Sequence, residues 1–97
     1  KLCQKNKIDP LNVLKALKGG WADSKVLQTH GIRMIKNDFK PRGKNFSQLK
    51  DMNNILDCAK SNNLELPLSK IIKKMYNKLV KKGLGNYDHS SLYKSYK

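Results

Sequence analysis

The chain has 97 residues, of which 38% are hydrophobic and 29% charged, so it suits one small folded domain rather than a disordered segment. No apolar run approaches the roughly 18 residues that a membrane-spanning helix requires. The net charge of +14 raises nucleic-acid binding as one class of function.

The first part of the chain is predicted to form helices around a glycine break. Asp9 and Pro10 are typical of an N-cap and a first helical residue, and this helix ends at Gly19. A further helix is expected within residues 21–39, loosened near Gly31. Pro41 then marks a loop.

The second part predicts two longer helices and a short terminal one. An amphipathic helix capped by Asn45 covers residues 45–62; its apolar positions recur at spacings of three and four, at Phe46, Leu49, Met52, Ile55, Leu56 and Ala59. Pro67 opens the next helix, Gly83 ends it, and Asp88 is the expected cap of the last. In that next helix five apolar residues are expected to point inward: Ile71, Ile72, Met75, Leu79 and Val80. Because no segment alternates like a strand, the sequence predicts an all-α fold of five or six helices.

Lys50 and Asp51 stand side by side within the amphipathic helix, beside its apolar stripe. Two interpretations are open from the residues alone: two solvated surface charges, or a charged pair at the rim of a site.

The usual catalytic patterns are absent from the sequence. There is no glycine-rich phosphate loop and no pair of carboxylates suited to acid–base chemistry. His30 and His89 are remote in sequence and lack the spacing of metal ligands, so no metal site is expected. Trp21 is expected to anchor the packing between helices.

The basic charge has a second explanation besides nucleic-acid binding. Nineteen of the 21 basic residues are Lys, and only Arg33 and Arg42 carry the guanidinium that base and phosphate recognition favours. The lysines are spread along the chain with ten Asn, as a bias toward A/T-rich codons would produce. A small basic helical nucleic-acid-binding protein is kept as the alternative function; its test is the salt dependence of phosphate contacts.

Four segments, taken in order, resemble the C-terminal helical domain of the β-hydroxyacid dehydrogenases. They are "IDPLNVLKAL", "GGWADSKVLQTHGIRMIKNDFKP", "LKDMNNILDCAKSNNLELPL" and "MYNKLVKKGLGNYDHSSL", and the second and fourth look closest to the tartronate semialdehyde (2-hydroxy-3-oxopropionate) reductase branch. The resemblance implies a helical domain of the 6-phosphogluconate dehydrogenase-like type. In such enzymes this domain closes the substrate site and forms much of the dimer contact.

The resemblance also implies what residues 1–97 lack. We expect them to be a single helical domain, separated from an N-terminal Rossmann domain and from a catalytic lysine that would lie upstream of Lys1. The full enzyme would use NAD or NADP on a small 3-hydroxy acid or its semialdehyde. Residues 1–97 alone are expected to bind no cofactor, to lack activity and to form homo-oligomers through helical faces. We expect a cytoplasmic protein with neither a membrane nor a nucleic acid as partner.

By resemblance, Lys50 matches the lysine that reaches the cofactor near its nicotinamide, and Asp51 the neighbouring carboxylate that helps position the catalytic lysine. One departure is Gly43, since many members carry a Phe there, eight residues before the Asp, as a wall of the nicotinamide pocket. Phe39 or Phe46 is the expected substitute.

Overall fold

The computed structural model describes residues 1–96, which form helices joined by short connections. The α-helices in chain order are α1 (Leu2–Lys5), α2 (Pro10–Leu17), α3 (Lys25–Lys36), α4 (Asn45–Ser61) and α5 (Pro67–Leu79). Helix α5 continues into a π-helical turn (Val80–Leu84), and a 3-10 helix (His89–Ser95) follows. The prediction of an all-α fold with five or six helices is confirmed.

Aspartates begin two of these helices, as the sequence predicted. The Asp9 carboxylate accepts a hydrogen bond from the N–H of Leu11 at 2.9 Å, and Pro10 follows as the first residue of α2. The Asp88 carboxylate accepts one from the N–H of Ser90 at 3.1 Å, at the start of the 3-10 helix. Each cap satisfies a backbone donor that the helix itself leaves free.

Helix α3 is continuous from Lys25 to Lys36, so the expected loosening near Gly31 is wrong. Gly31 lies where α3 packs against α2. A Cβ added there would lie 2.8 Å from Cδ2 and 3.0 Å from Cδ1 of the buried Leu14. Glycine at this position allows the close approach of two helices rather than a break in one.

Helices α4 and α5 form an antiparallel hairpin, because the start of α4 lies beside the segment that follows α5. The 3-10 helix contacts α3, α4 and α5, so the C-terminal segment joins the α2–α3 pair to the hairpin. Gly83, with φ of 79°, interrupts the π-helical turn in the left-handed conformation that glycine adopts without strain.

The core formed by the described residues is thin. Its buried apolar side chains are those of Leu14, Phe39, Ala59, Tyr76 and Leu79. Helix α5 exposes Leu68, Ile71 and Ile72 by 74%, 54% and 38%, so the prediction that Ile71 and Ile72 point inward is wrong. Exposed apolar surface of this kind is typical of a face that packs against further protein. None of the helices within residues 1–96 has the length and apolar character to cross a bilayer.

Candidate functional site

Lys50 and Asp51 lie in the first half of α4, six and seven residues into a helix of 17. The Lys50 Nζ lies 3.4 Å from Oδ1 of Asp51, and the two side chains are 69% and 47% exposed. Both are therefore free to meet a ligand or another part of the protein, and neither is held by packing. An ion pair this exposed contributes little to stability.

Two cavities lie elsewhere on the chain. A groove of about 730 Å³ between the second half of α4 and the first half of α5 is lined by apolar residues and lysines, among them Leu56, Leu64, Lys60, Lys70, Lys73 and Lys74. A smaller cavity of about 170 Å³ lies among α1, α2, α3 and Tyr93. Neither cavity includes Lys50 or Asp51, whose side chains are exposed.

The start of α4 is fixed by the segment that follows α5. The backbone N–H groups of Asn45 and Phe46 donate to the carbonyls of Tyr87 and Gly85 at 3.0 and 3.1 Å. These carbonyls satisfy helix donors that a side-chain cap would otherwise take. The expected capping role of Asn45 is therefore wrong, because Asn45 is the first helical residue and its side chain is turned inward.

The Asn45 side chain provides a second attachment for α4. It is fully buried, and its Nδ2 donates to the carbonyl of Leu84 at 2.7 Å and to Oγ of Ser91 at 2.8 Å. The ring of Phe46 covers Gly85 so closely that a Cβ there would lie 2.3 Å from Cε2. The first turn of α4, which precedes Lys50, thus begins from a tightly packed seat.

A buried carboxylate, that of Asp88, lies next to this seat. It accepts hydrogen bonds from the backbone N–H groups of Arg42 and Gly43 at 3.2 and 3.3 Å, and from Ser90 N–H and Oγ at 3.1 and 2.5 Å. Nη1 of Arg33 lies 3.2 Å from each carboxylate oxygen. We call Asp88 with Arg33, Arg42, Gly43 and Ser90 the Asp88 junction.

Asp88 is held in its charged form by these donors. Burial by itself raises the pKa of Asp88, but the hydrogen bonds from Ser90, Gly43 and Arg42 lower it by more. The resulting pKa of Asp88 lies well below the usual range of an aspartate. The sequence indicated Asp88 only as a helix cap and missed the other four donors.

The structure brings His30 and His89 together, although they are 59 positions apart in the sequence. Their ring centroids are 4.5 Å apart with the ring planes at 65°, and imidazole nitrogens of both lie within 4.8 Å of a carboxylate oxygen of Asp88. Burial lowers the pKa of His30, and the neighbouring His89 and Arg33 lower it further, which favours the neutral imidazole.

Two imidazoles and a carboxylate are ligand types that Zn²⁺ accepts. The Asp88 carboxylate, however, already accepts five donor groups, among them the Arg33 guanidinium. A cation would have to displace that positive charge and several hydrogen bonds. We therefore interpret this cluster as a structural junction of three chain segments.

The two phenylalanines suggested as substitutes at the Gly43 position differ in exposure. Phe39 is buried at 7% exposure, whereas Phe46 is 51% exposed on α4, one turn before Lys50. Of the two, only Phe46 is placed to meet a ligand beside Lys50. Trp21 is fully exposed, so its expected role as an anchor between helices of this chain is wrong.

Comparison with known proteins identifies the family of this chain. The family described as "NAD-binding of NADP-dependent 3-hydroxyisobutyrate dehydrogenase" matches residues 1–96. The chain belongs to this family. The resemblance to hydroxyacid dehydrogenases that the sequence motifs indicated is confirmed.

Curated relatives of the family extend the match. The chain is 40% identical over 84 residues to a 2-hydroxy-3-oxopropionate reductase of Escherichia coli, covering 87% of this chain and 29% of that protein. It is 34% identical over 91 residues to an uncharacterised oxidoreductase of Bacillus subtilis, covering 94% of this chain and 32% of that protein. The chain thus spans about a third of the length of the relatives it matches.

A solved structure shows the same fold. The crystal structure of a 3-hydroxyisobutyrate dehydrogenase from Salmonella typhimurium matches with a TM-score of 0.88 at 22% identity. The match covers 96% of this chain and 33% of that one.

Proposed function

We propose that the protein carrying this chain is an NAD(P)-dependent oxidoreductase that acts on a small 3-hydroxy acid or its semialdehyde. The observation that carries the proposal is the family match over residues 1–96, joined by 40% identity to a relative named 2-hydroxy-3-oxopropionate reductase. That compound is therefore the first substrate to test. Residues 1–97 would be the C-terminal helical domain, working in the cytoplasm with a Rossmann domain and a catalytic lysine outside this chain.

Lys50 would bind the dinucleotide. Its ammonium is mobile, 69% exposed and able to donate three hydrogen bonds, which suits an amide oxygen, a ribose hydroxyl or a phosphate. Asp51, 3.4 Å away, limits the directions that this ammonium takes. The nicotinamide, when bound, supplies or accepts the hydride.

Asp51 would act on the catalytic lysine of the proposed upstream segment. A carboxylate facing a lysine favours the charged ammonium, which is the form able to donate a proton to the substrate oxygen. Its 47% exposure leaves Asp51 accessible to a lysine from another part of the protein.

The exposed apolar residues support a role in closure and dimerisation. Trp21 and the Leu68, Ile71 and Ile72 side chains of α5 are exposed by 38% or more in the described residues. Burying them against a Rossmann domain or a second subunit would stabilise the assembly. Residues 1–97 by themselves would bind no cofactor and catalyse no turnover.

The test is steady-state kinetics of the full-length protein with 2-hydroxy-3-oxopropionate and either NADH or NADPH. Lys50→Ala should lower kcat/KM by an amount typical of a lost charged hydrogen bond, roughly 1.5–3 kcal/mol or one to two decades. Asp51→Asn should act chiefly on kcat and its pH profile, because it changes the field at the catalytic lysine.

Matched controls lie on the same helix. Lys60→Ala and Asp57→Asn repeat the two changes at exposed positions farther along α4 and should leave the kinetics unchanged. Wild-type kinetics in both site variants would refute the assigned roles of Lys50 and Asp51. The nucleic-acid alternative would be favoured if the protein had no oxidoreductase activity and bound a nucleic-acid duplex with an affinity that falls steeply as salt rises.

A further inference from the structure

We propose that Asp88 is a positioning residue for the candidate site: it holds the loop of residues 38–44, and through this loop it sets the direction in which α4 presents Lys50 and Asp51. The inference rests on the proposed function, since it assigns to the Asp88 junction the task of orienting that pair.

The loop is attached to the Asp88 segment at several points along its length. The backbone N–H of Asp88 donates to the carbonyl of Phe39 at 3.1 Å, near the start of the loop. The Asp88 carboxylate receives the N–H groups of Arg42 and Gly43 near its end. The N–H of His89 donates to the carbonyl of Gly43 at 2.7 Å. Little freedom therefore remains in the backbone that leads into α4.

The same carboxylate reaches two further elements. Arg33 approaches it from α3, with a side chain only 17% exposed, and Ser90 approaches from the 3-10 helix. Asp88 thus joins α3, the loop and the 3-10 helix at one point. Because the carboxylate is fully buried, water cannot replace a donor that is lost.

Helix α4 connects this fixed loop to the candidate site. Its first residues, Asn45 and Phe46, are bound to the carbonyls of Tyr87 and Gly85, directly before Asp88 in the chain. At a rise of about 1.5 Å per residue, Lys50 and Asp51 lie roughly 8–9 Å along the helix from Asn45. A helix of 17 residues moves as a unit, so a change in the seat of its first turn displaces the pair.

A helix cap alone would not require this carboxylate. Asn is as good a cap as Asp for the single bond to the Ser90 N–H. The other donors are a guanidinium, two backbone amides of the loop and the Ser90 hydroxyl, and together these need an acceptor with two oxygens. In Asp88→Asn the amide NH₂ would face N–H donors, and Arg33 would lose its counter-charge. The substitution therefore separates the positioning role from the capping role.

The experiment uses the full-length protein and the cycle of Asp88→Asn with the double variant Lys50→Ala/Asp51→Asn. If Asp88 acts by orienting this pair, Asp88→Asn should lower kcat/KM by about tenfold when the pair is intact and by less than about twofold in the double variant. Hydrogen exchange of backbone amides in residues 39–50 should become faster in Asp88→Asn. A merely structural role predicts the same loss in both backgrounds.

The matched control is Asp38→Asn in the same loop. This variant removes the same charge from a carboxylate on the surface, which accepts a hydrogen bond from Nη2 of Arg42 at 2.8 Å. Asp38→Asn should leave the kinetics and the hydrogen exchange near wild type. If Asp88→Asn does not fold, Ser90→Ala removes one donor to the same carboxylate and keeps the Arg33 pair. Ser90→Ala should show the same dependence on the Lys50–Asp51 pair, with a loss of about threefold when the pair is intact.

The outcomes separate this inference from the proposed function. Inactive wild-type enzyme would overturn the proposed function and this inference with it. This inference alone would be overturned if the wild type is active and Lys50→Ala is impaired, but Asp88→Asn and Ser90→Ala are unimpaired or equally impaired with the pair intact and in the double variant. Losses confined to the background with the pair intact, with faster exchange in residues 39–50, would support it.

Discussion

A single methyl group added at Gly31 tests the contact between α2 and α3. In Gly31→Ala the new Cβ would lie 2.8 and 3.0 Å from the two Cδ atoms of Leu14, so the side chain of Leu14, which is 7% exposed, would have to shift within the core. Overpacking a core by one methyl lowers the free energy of unfolding by about 1–3 kcal/mol, and replacing a glycine inside a helix by alanine raises it by about 1 kcal/mol. We expect a net loss of about 1 kcal/mol in the free energy of unfolding.

The sign of this change decides between two accounts of Gly31. A glycine that loosens the helix would make Gly31→Ala stabilising by about 1 kcal/mol, because only the helix propensity would change. A glycine that allows close approach makes it destabilising. Thermal and urea unfolding followed by circular dichroism measures the difference, with a fall in Tm of about 4–8 °C expected for a loss of 1 kcal/mol in a domain of this size.

Two further variants sharpen the measurement. Gly20→Ala is the control, because a Cβ there meets only the carbonyl of Leu17 at 3.4 Å and the free energy of unfolding should change by less than about 0.5 kcal/mol. Leu14→Ala should cost about 2–5 kcal/mol alone and less together with Gly31→Ala, since the added methyl fills part of the space. A stabilising Gly31→Ala, or strict additivity with Leu14→Ala, would refute the contact.

Two predictions concern pH and assembly. Burial lowers the pKa of His30 below its ordinary 6.5, so the unfolded state binds a proton at a higher pH than the folded state does. The free energy of unfolding should therefore decrease from pH 7 to about 5, and the decrease should be smaller in His30→Asn. Because the pKa of Asp88 is lowered in the folded state, Asp88 stabilises the fold at any pH above 3.8, the ordinary pKa of an aspartate. This stabilisation should decrease only below pH 3.8. In sedimentation experiments residues 1–97 should form a dimer or larger oligomer, and Trp21→Ala should weaken its association by about tenfold; a mass of one chain at high micromolar concentration would contradict this.

The features that sequence reasoning predicted are those decided by near neighbours. Asp9 and Asp88 cap helices because their carboxylates reach donors two residues away, and such contacts leave a readable pattern. The helical periodicity likewise predicts the order of the helices and a number of five or six. Periodicity does not indicate whether an apolar helix face packs within this chain or against further protein. For this reason the sequence wrongly predicts that Trp21 and Ile71 lie in the interior, whereas both are exposed.

The Asp88 junction was missed because its partners are distant in sequence. Arg33, Arg42 and Gly43 lie 55, 46 and 45 positions from Asp88, beyond the reach of any local pattern. One signal was available. Among 21 basic residues only Arg33 and Arg42 are arginine, and a buried carboxylate is a partner that favours guanidinium over ammonium. Arg33 lies there through its side chain, whereas Arg42 contributes its backbone N–H to Asp88 and its guanidinium to Asp38.

The candidate site and its support differ in how they affect stability. Lys50 and Asp51 are exposed, so their substitution changes few contacts in the fold and should alter activity with little change in unfolding. Asp88 and Asn45 are buried and would meet no substrate, so their loss should alter both. Lowered activity alone therefore identifies neither class. Lowered activity with unchanged unfolding would fit a residue that contacts the proposed cofactor or the proposed catalytic lysine, whereas lowered activity with faster exchange in residues 39–50 would fit one that orients α4.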